Sequence, residues 1–321
     1  MQLLNKFYLF VILSWLFISF GSREPEYVSV RFGICTDVHK DIMHDADERL
    51  TSFIGEAKAR DLDFIIQMGD FARPYEHNKE FMAIWNSYPG EKYHVIGNHE
   101  PDGGFDMSSV VENFGMPSRY YSYDKGGLRF IVLDGNEFNP SPNRPVGYSR
   151  YMSGEQLSWM VEELRGAKER VVIFSHQSLE NEAGIENREY IRSLLEEENR
   201  LAGYNKVIAC FSGHHHTDYA TEINGIYYIQ INSMSYYWAG DNYQVIRYSE
   251  EIDQQFPLIK YTIPYERSLY TFVEISNEAI SIEGKETKFV GPGPEELGMP
   301  TPPENNPIVP RISNRKLLLK P

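Results

Sequence analysis

Apolar positions along this chain follow two rhythms. Runs rich in β-branched and aromatic residues recur as SVRFGIC (29–35), DFIIQM (63–68), KYHVI (92–96), RFIVL (129–133), RVVIF (170–174), KVIACF (206–211) and IYYIQI (226–231). Each is short and almost continuously apolar, which predicts strands buried on both faces. Between them the period lengthens. Leu50, Phe53, Ile54 and Ala57 fall at i, i+3, i+4 and i+7, one face of a helix. Leu157, Met160, Val161 and Leu164 repeat that spacing, and Ser153 with Gln156 three residues on predicts a capping box at its start. A third helix is predicted after Asn187, with Ile191, Leu194 and Leu195 inward and the charges of EYIRSLLEEENR on a solvated face. Strands alternating with helices in this way predict the α/β class.

Beyond Tyr243 the alternation stops. SLYTFVEIS and AISIEGKETKFV read as paired strands joined through NEA. From Gly291 onward prolines crowd the chain without a periodic apolar face, so 291–321 is expected to be an extended or disordered tail with no chemistry of its own. At the other end, Lys6 precedes the apolar run Phe7–Leu13, which resumes after Ser14 to Phe20. Ser19 and Gly21 then supply the small residues a signal peptidase prefers, which predicts a signal peptide over 1–21. The run falls short of the ~20 residues that span a bilayer. An exported protein, periplasmic or secreted, is therefore expected, with no stable membrane span after cleavage; the alternative is a membrane anchor left uncleaved.

Charge narrows the choice of partner. The net charge of −15 repels polyanions, so general nucleic-acid binding, which needs clustered Lys and Arg, is not expected. Any positive charge used on a phosphate must come largely from outside the polypeptide. Cys35 and Cys210 are the two cysteines, too few for a disulfide scaffold. Both end apolar runs, so one bridge between them is conceivable, with two buried thiols the preferred reading.

The polar residues that follow the strands carry the chemistry. After FGIC comes TDVH, with Asp37 and His39; after FIIQM comes GDF, with Asp70. GNHE after YHVI supplies Asn98, His99 and Glu100. SHQ after VVIF supplies His176, and SGHHH after VIACF supplies His214, His215 and His216. Ligands of open α/β sheets gather outside the carboxyl ends of the strands, so these side chains are expected to converge. Imidazole and carboxylate donors suit Mn, Fe, Zn or Ni. Two such ions ~3.5–4 Å apart can clamp an in-line displacement and acidify a bridging water to a pKa of about 7. No serine or cysteine stands in the setting of a nucleophile.

The ordered set D-x-H, G-D, G-N-H-E, a lone H and G-H-x-H resembles the calcineurin-like metallophosphoesterase superfamily, over Val28 to Val290 within a domain placed at 27–290. The resemblance implies a four-layer sandwich of two mixed β-sheets packed face to face and flanked by α-helices, with the late hairpins completing the second sheet. It implies two divalent metal ions and a small phosphorylated substrate, attacked by a metal-bridging hydroxide. Carried over by position, Asp37, His39, Asp70 and His216 would hold the first ion. Asp70 would bridge to the second, completed by Asn98, His176 and His214, and His99 would protonate the leaving group. Some members read G-D-x-x-D-R, where the later Asp orients that histidine. Here GDFARP has Arg73 instead, which leaves Glu100 as a candidate orienter and Arg73 as a candidate phosphate contact. His215 is expected to point elsewhere, with substrate contact as its alternative role. The aromatics of SMSYYWAGDNY (233–243) can stack on a base or simply pack the rim. His44, His77 and His94 carry no motif.

The stretches around 147–177 and 208–232 are similar in layout to the branch with class III cyclic-nucleotide phosphodiesterases and ADP-ribose diphosphatases. The expected function is hydrolysis of small phosphoesters or nucleotides. A secreted nuclease, a phospholipid-headgroup phosphodiesterase or a catalytically dead binding protein on the same fold are the alternatives.

Overall fold

A computed structural model describes residues 29–301 and 306–320. The signal peptide read over 1–21 lies outside the described residues. In chain order the first half holds β1 (Val30–Cys35), α1 (Ala46–Lys58), β2 (Phe64–Gln67), α2 (Lys79–Asn86), β3 (Glu91–His94), α3 (Met107–Phe114), β4 (Tyr121–Lys125) and β5 (Leu128–Leu133). Then come α4 (Gly154–Gly166), β6 (Arg170–Ser175), α5 (Arg188–Ala202), β7 (Val207–Ser212), β8 (Tyr219–Ile223) and β9 (Ile226–Gln230). The last part holds β10 (Tyr236–Trp238), α6 (Glu250–Gln255), β11 (Thr262–Pro264), β12 (Thr271–Ile275), β13 (Ala279–Ile282), β14 (Lys285–Glu286), β15 (Arg311–Ile312) and β16 (Arg315–Leu318).

Two six-stranded sheets result, in the orders β16-β13-β12-β1-β2-β3 and β4-β5-β6-β7-β9-β8. Both are mixed. β1, β2 and β3 run parallel, as do β5, β6, β7 and β9, while β4, β8, β12, β13 and β16 each pair antiparallel with their neighbours. The sheets meet through Phe32 on β1, which stacks on Phe64 at 4.8 Å and turns its edges to Phe130, Phe174 and Phe211 at 5.9–6.1 Å. Burying each such ring contributes about 2–3 kcal/mol. A second apolar cluster lies beneath α4 and α5, where Met160, Leu164, Ile191 and Leu195 meet Val171, Ile173 and Cys210. Cys35 belongs to the first cluster and Cys210 to the second, and both are free thiols.

The helix periodicities hold at their cores. Leu50, Phe53, Ile54 and Ala57 are all buried in α1. The capping box of α4 is half formed. Ser153 Oγ accepts from the Gln156 amide at 3.3 Å, but the Gln156 side chain turns inward to the backbone of Asp134. The amide of Ser153 donates instead to Glu137.

The Pro-rich tail needs correcting. Arg315–Leu318 is the edge strand of the first sheet, paired with β13. Buried Asp218 anchors it, accepting from the amide and hydroxyl of Ser313 and from Arg315 at 2.6–3.1 Å. Asn232 adds bonds to the carbonyls of Val309 and Arg311. Such polar anchors leave no apolar period in the sequence, which is why the tail reads as featureless. Among the described residues no helix is long and apolar enough to cross a membrane.

Candidate metal centre

Because the parallel strands of both sheets present their carboxyl ends on one side, the turns after β1, β2, β3, β6 and β7 close on each other. Backbone bonds stitch them together. The amide of Asp37 donates to Gly69 O at 3.0 Å, that of His39 to Asp70 O at 2.9 Å, and that of Gly213 to His176 O at 3.0 Å. Side chains cross between turns as well. Asp37 accepts from the His214 amide at 3.1–3.2 Å, which links the two sheets, and Asp70 Oδ1 accepts from the His99 amide at 2.8 Å.

Backbone geometry sets these turns apart. Asp37, His39, Asp70, His214 and His216 all have positive φ, between 51° and 72°. Among the described non-glycine residues one other does, Asn224, in the Asn-Gly turn between β8 and β9. Left-handed backbone costs about 1 kcal/mol or more at each such residue and persists only where the surroundings impose it. The turns also press together. A Cβ on Gly97 would stand 2.2 Å from Asp70 Oδ1, and one on Gly69 would stand 2.5 Å from His176 Nδ1.

The side chains fall into two groups, Asp37, His39 and His216 in one and Asp70, His176 and His214 in the other, with the ligand atoms of each within 4.8 Å of one another. In the first group His39 Nε2 is 3.3 Å from His216 Nε2, which is 3.1 Å from Asp37 Oδ1. For metal–nitrogen bonds of ~2.0–2.1 Å in a tetrahedron, neighbouring ligand atoms stand ~3.3–3.4 Å apart, so this spacing matches the edges of one coordination shell. Asp70 Oδ2 lies between the groups, 3.8 Å from His39, 3.1 Å from His176 and 4.0 Å from His99. His216 Nδ1 donates to Tyr236 O and His176 Nδ1 to Met68 O, each at 2.8 Å. That fixes the tautomers and turns both Nε2 atoms inward, the usual support of a metal-bound histidine. His176 Nε2 and Asn98 Oδ1 are buried without a hydrogen-bond partner, and the short separation from Asp70 lacks hydrogen-bond geometry for His176. Buried orphans of this kind call for an ion or a proton. The residues fit a pair of divalent cations.

Charge balance without ions points the same way. Burial opposes the charge on Asp70, but His176 and then His99 outweigh it and hold the carboxyl well below its ordinary range. Burial likewise opposes charge on His176, yet Asp70 and Asp37 raise its pKa to about 10. Burial pushes His39 down to about 3 and His214 well below its ordinary value. A metal binds only neutral imidazole, so loading these histidines requires every one of them to be deprotonated.

His99 stands beside this centre. Its Nδ1 is 2.7 Å from Asp102 Oδ2, which corrects the expectation that Glu100 orients it. Glu100 is buried and accepts from the amides of Asp70, Phe71 and Gly97, so it ties two turns together. Burial and the neighbouring Asp70 raise its pKa to about 7. Arg73 Nη2 lies 3.1 Å from Asp102, and the hydroxyl of Tyr148 lies 3.0 Å from the same carboxylate. Neither Asp102 nor Tyr148 is singled out by the sequence reading. An Asp-Gly-Gly turn three residues after the histidine was the available signal for the first; nothing in the chain signals the second.

The remaining candidates settle simply. His215 turns away to Ser178 Oγ at 2.8 Å. Tyr236 is buried and stacks on His39 with ring centroids 4.9 Å apart, so this part of the aromatic stretch packs the floor of the site, while Trp238 is 43% exposed. His94 is buried against Trp85 and Phe114, and His77 is exposed.

The profile of the calcineurin-like phosphoesterase family matches residues 30–218. A dimetal phosphatase of Danio rerio superposes with a TM-score of 0.57 at 17% identity, covering 83% of this chain and 99% of that one. GAP50, described as the anchor in the inner membrane complex of Plasmodium, superposes with a TM-score of 0.50 at 16% identity, covering 92% and 90%. At these identities both likenesses concern the fold. No curated protein matches the chain. With more than half its length under one family profile and two Asp/His groups where that family keeps a dinuclear centre, the chain belongs to the calcineurin-like phosphoesterases.

Proposed function

We propose that this protein hydrolyses small phosphoesters or nucleotides with a pair of divalent cations. Asp37, His39, Asp70 and His216 would hold one, and Asp70, Asn98, His176 and His214 the other. When bound, such ions polarise phosphoryl oxygens and acidify water to a pKa of about 7. The polypeptide does the rest. The His214 and His99 amides fix the oxygens of Asp37 and Asp70, and the carbonyls of Tyr236 and Met68 fix two histidine tautomers. His99 Nε2 lies 4.0 Å from Asp70 Oδ2 and would give its proton to the departing oxygen. Arg73 lines the same cleft as His39, Asp70 and His99, so it would meet a phosphoryl oxygen by charge. The leader read at 1–21 would put this activity outside the cytoplasm.

The observation that carries the reading is the position of Asp70 Oδ2, within 4 Å of His39, His176 and His99 at once. The test is a panel of para-nitrophenyl mono- and diesters, nucleotides and ADP-ribose, run after chelation and again after reconstitution with Mn, Fe, Zn, Ni or Co. Turnover by the chelated protein equal to that of the reconstituted protein overturns the reading.

A further inference from the structure

We infer that Asp102 aims His99 at the leaving group, and that Tyr148 and Arg73 hold Asp102 for that purpose. This rests on the reading of His99 as proton donor. An imidazole pivots about its Cβ–Cγ bond, so its Nε2 stays on target only if Nδ1 is held. Asp102 Oδ2 holds it at 2.7 Å, while Nε2 lies 4.0 Å from Asp70 on the side of the metal groups. Position 73, where the G-D-x-x-D-R pattern has a carboxylate, carries a guanidinium instead. That guanidinium grips a carboxylate arriving from the turn after His99, at 3.1 Å. The charge at position 73 is reversed, and the carboxylate on Nδ1 comes from position 102.

Tyr148 completes the arrangement. It comes from the proline-containing segment between β5 and α4, and its hydroxyl stands 3.0 and 3.2 Å from the two oxygens of Asp102. Its ring centroid is 5.0 Å from that of His99, and the residue is 47% exposed. A carboxylate oxygen accepts from more than one donor, so Oδ2 of Asp102 can take Nδ1–H of His99 while Tyr148 and Arg73 hold the same carboxylate in place. As the P–O bond to the leaving oxygen breaks, that oxygen keeps the electron pair and takes the Nε2 proton. Nδ1–H stays on Asp102, and solvent returns a proton to Nε2.

The test compares Asp102→Ala, Tyr148→Phe and His99→Ala in Mn-loaded protein, on phosphate esters graded from para-nitrophenyl through phenyl to alkyl leaving groups. A good leaving group departs without a proton, and an alkoxide does not. Asp102→Ala should lower kcat ~10²-fold on the alkyl ester and only a few-fold on the para-nitrophenyl ester, with KM and bound metal unchanged. Tyr148→Phe, at an exposed position that does not hold the fold together, should follow the same slope at several-fold. Equal losses on all three esters, or no loss on the alkyl ester, overturn the inference. A steep His99→Ala slope beside flat slopes for the other two variants leaves the proposed function standing and removes Asp102 from it. Absence of metal-dependent turnover in the unmodified protein removes both.

Discussion

Gly97→Ala isolates the crowding at the metal centre from every chemical change. The substitution adds one methyl group to a turn whose φ is not left-handed, so the backbone itself tolerates alanine. At a position with that freedom, Gly→Ala ordinarily stabilises by about 0.4–1 kcal/mol through the unfolded chain. Here the new Cβ would stand 2.2 Å from Asp70 Oδ1, 2.3 Å from Asp70 N and 2.8 Å from Glu100 Oε2. Ordinary contact begins ~1 Å farther out. Two of the three obstacles are buried oxygens already fixed by amides, so neither can swing away cheaply. Overpacking of this kind costs about 1–3 kcal/mol. Relief requires Asp70 to move by roughly 1 Å, a displacement that can cost ~10²-fold in turnover. Metal stoichiometry after dialysis, turnover on a para-nitrophenyl ester and a urea denaturation midpoint together read the outcome. The expected result is loss of metal bound through Asp70, turnover down about a hundredfold, and a lowered midpoint. A variant with two ions, native turnover and a raised midpoint would refute the packing argument.

Asp70→Asn should lose both metal and turnover, whereas His99→Ala should keep its metal and lose ~10²–10⁴-fold in turnover; elemental analysis beside kinetics separates them. His94 gives a pH signature. Burial, with Lys92 adding to it, lowers its pKa to about 3, so below pH 6.5 the unfolded chain takes a proton that the folded one refuses. Stability from this residue is full above pH 6.5 and falls as pH drops toward 3, by about 2 kcal/mol at pH 5. His94→Phe should shrink the pH 7 to pH 5 difference in unfolding free energy by that amount. Asp218→Ala removes three hydrogen bonds that hold the C-terminal strand and should cost about 3 kcal/mol, with new protease cleavage between 291 and 321. Oxidant should leave the denaturation midpoint unchanged, because Cys35 and Cys210 occupy separate clusters; a shift reversed by reductant would contradict that.

What the sequence reveals about the site follows from where apolar runs stop. A strand buried on both faces announces its end sharply, and the polar residue next in line lies at the sheet's rim. Asp37, Asp70, His176 and His214 are legible for that reason. Asp102 and Tyr148 are not, because a contact between two turns depends on how each bends. Pro101 and the left-handed Gly103 and Gly104 bend the first. For the fold, the losses lie at the edges. β4 and β8 are edge strands with mostly half-exposed faces, so YSYDK and YATEI never form an apolar run. Tyr123 is held by stacking on Tyr93 at 3.6 Å, a partner a linear reading does not supply. α2 and α3 span eight residues each, too few for a periodicity to stand out, although Phe81, Met82 and Trp85 are buried in the former.

The strand order has a consequence for biosynthesis. β4 to β9 are contiguous in the chain, so the second sheet can assemble as soon as its own stretch leaves the ribosome. β1, in contrast, sits between β2 and β12, and β12 is translated after the whole of that sheet. Until then one side of β1 has no neighbour, and a nascent polypeptide in that condition invites pairing with another chain. Metal loading must wait as well, since of the ligand residues Asp37 and His39 emerge first and His214 and His216 last. Vectorial synthesis therefore makes the early half of this protein a client for whatever shields open sheet edges, and makes ion capture a closing event of its maturation.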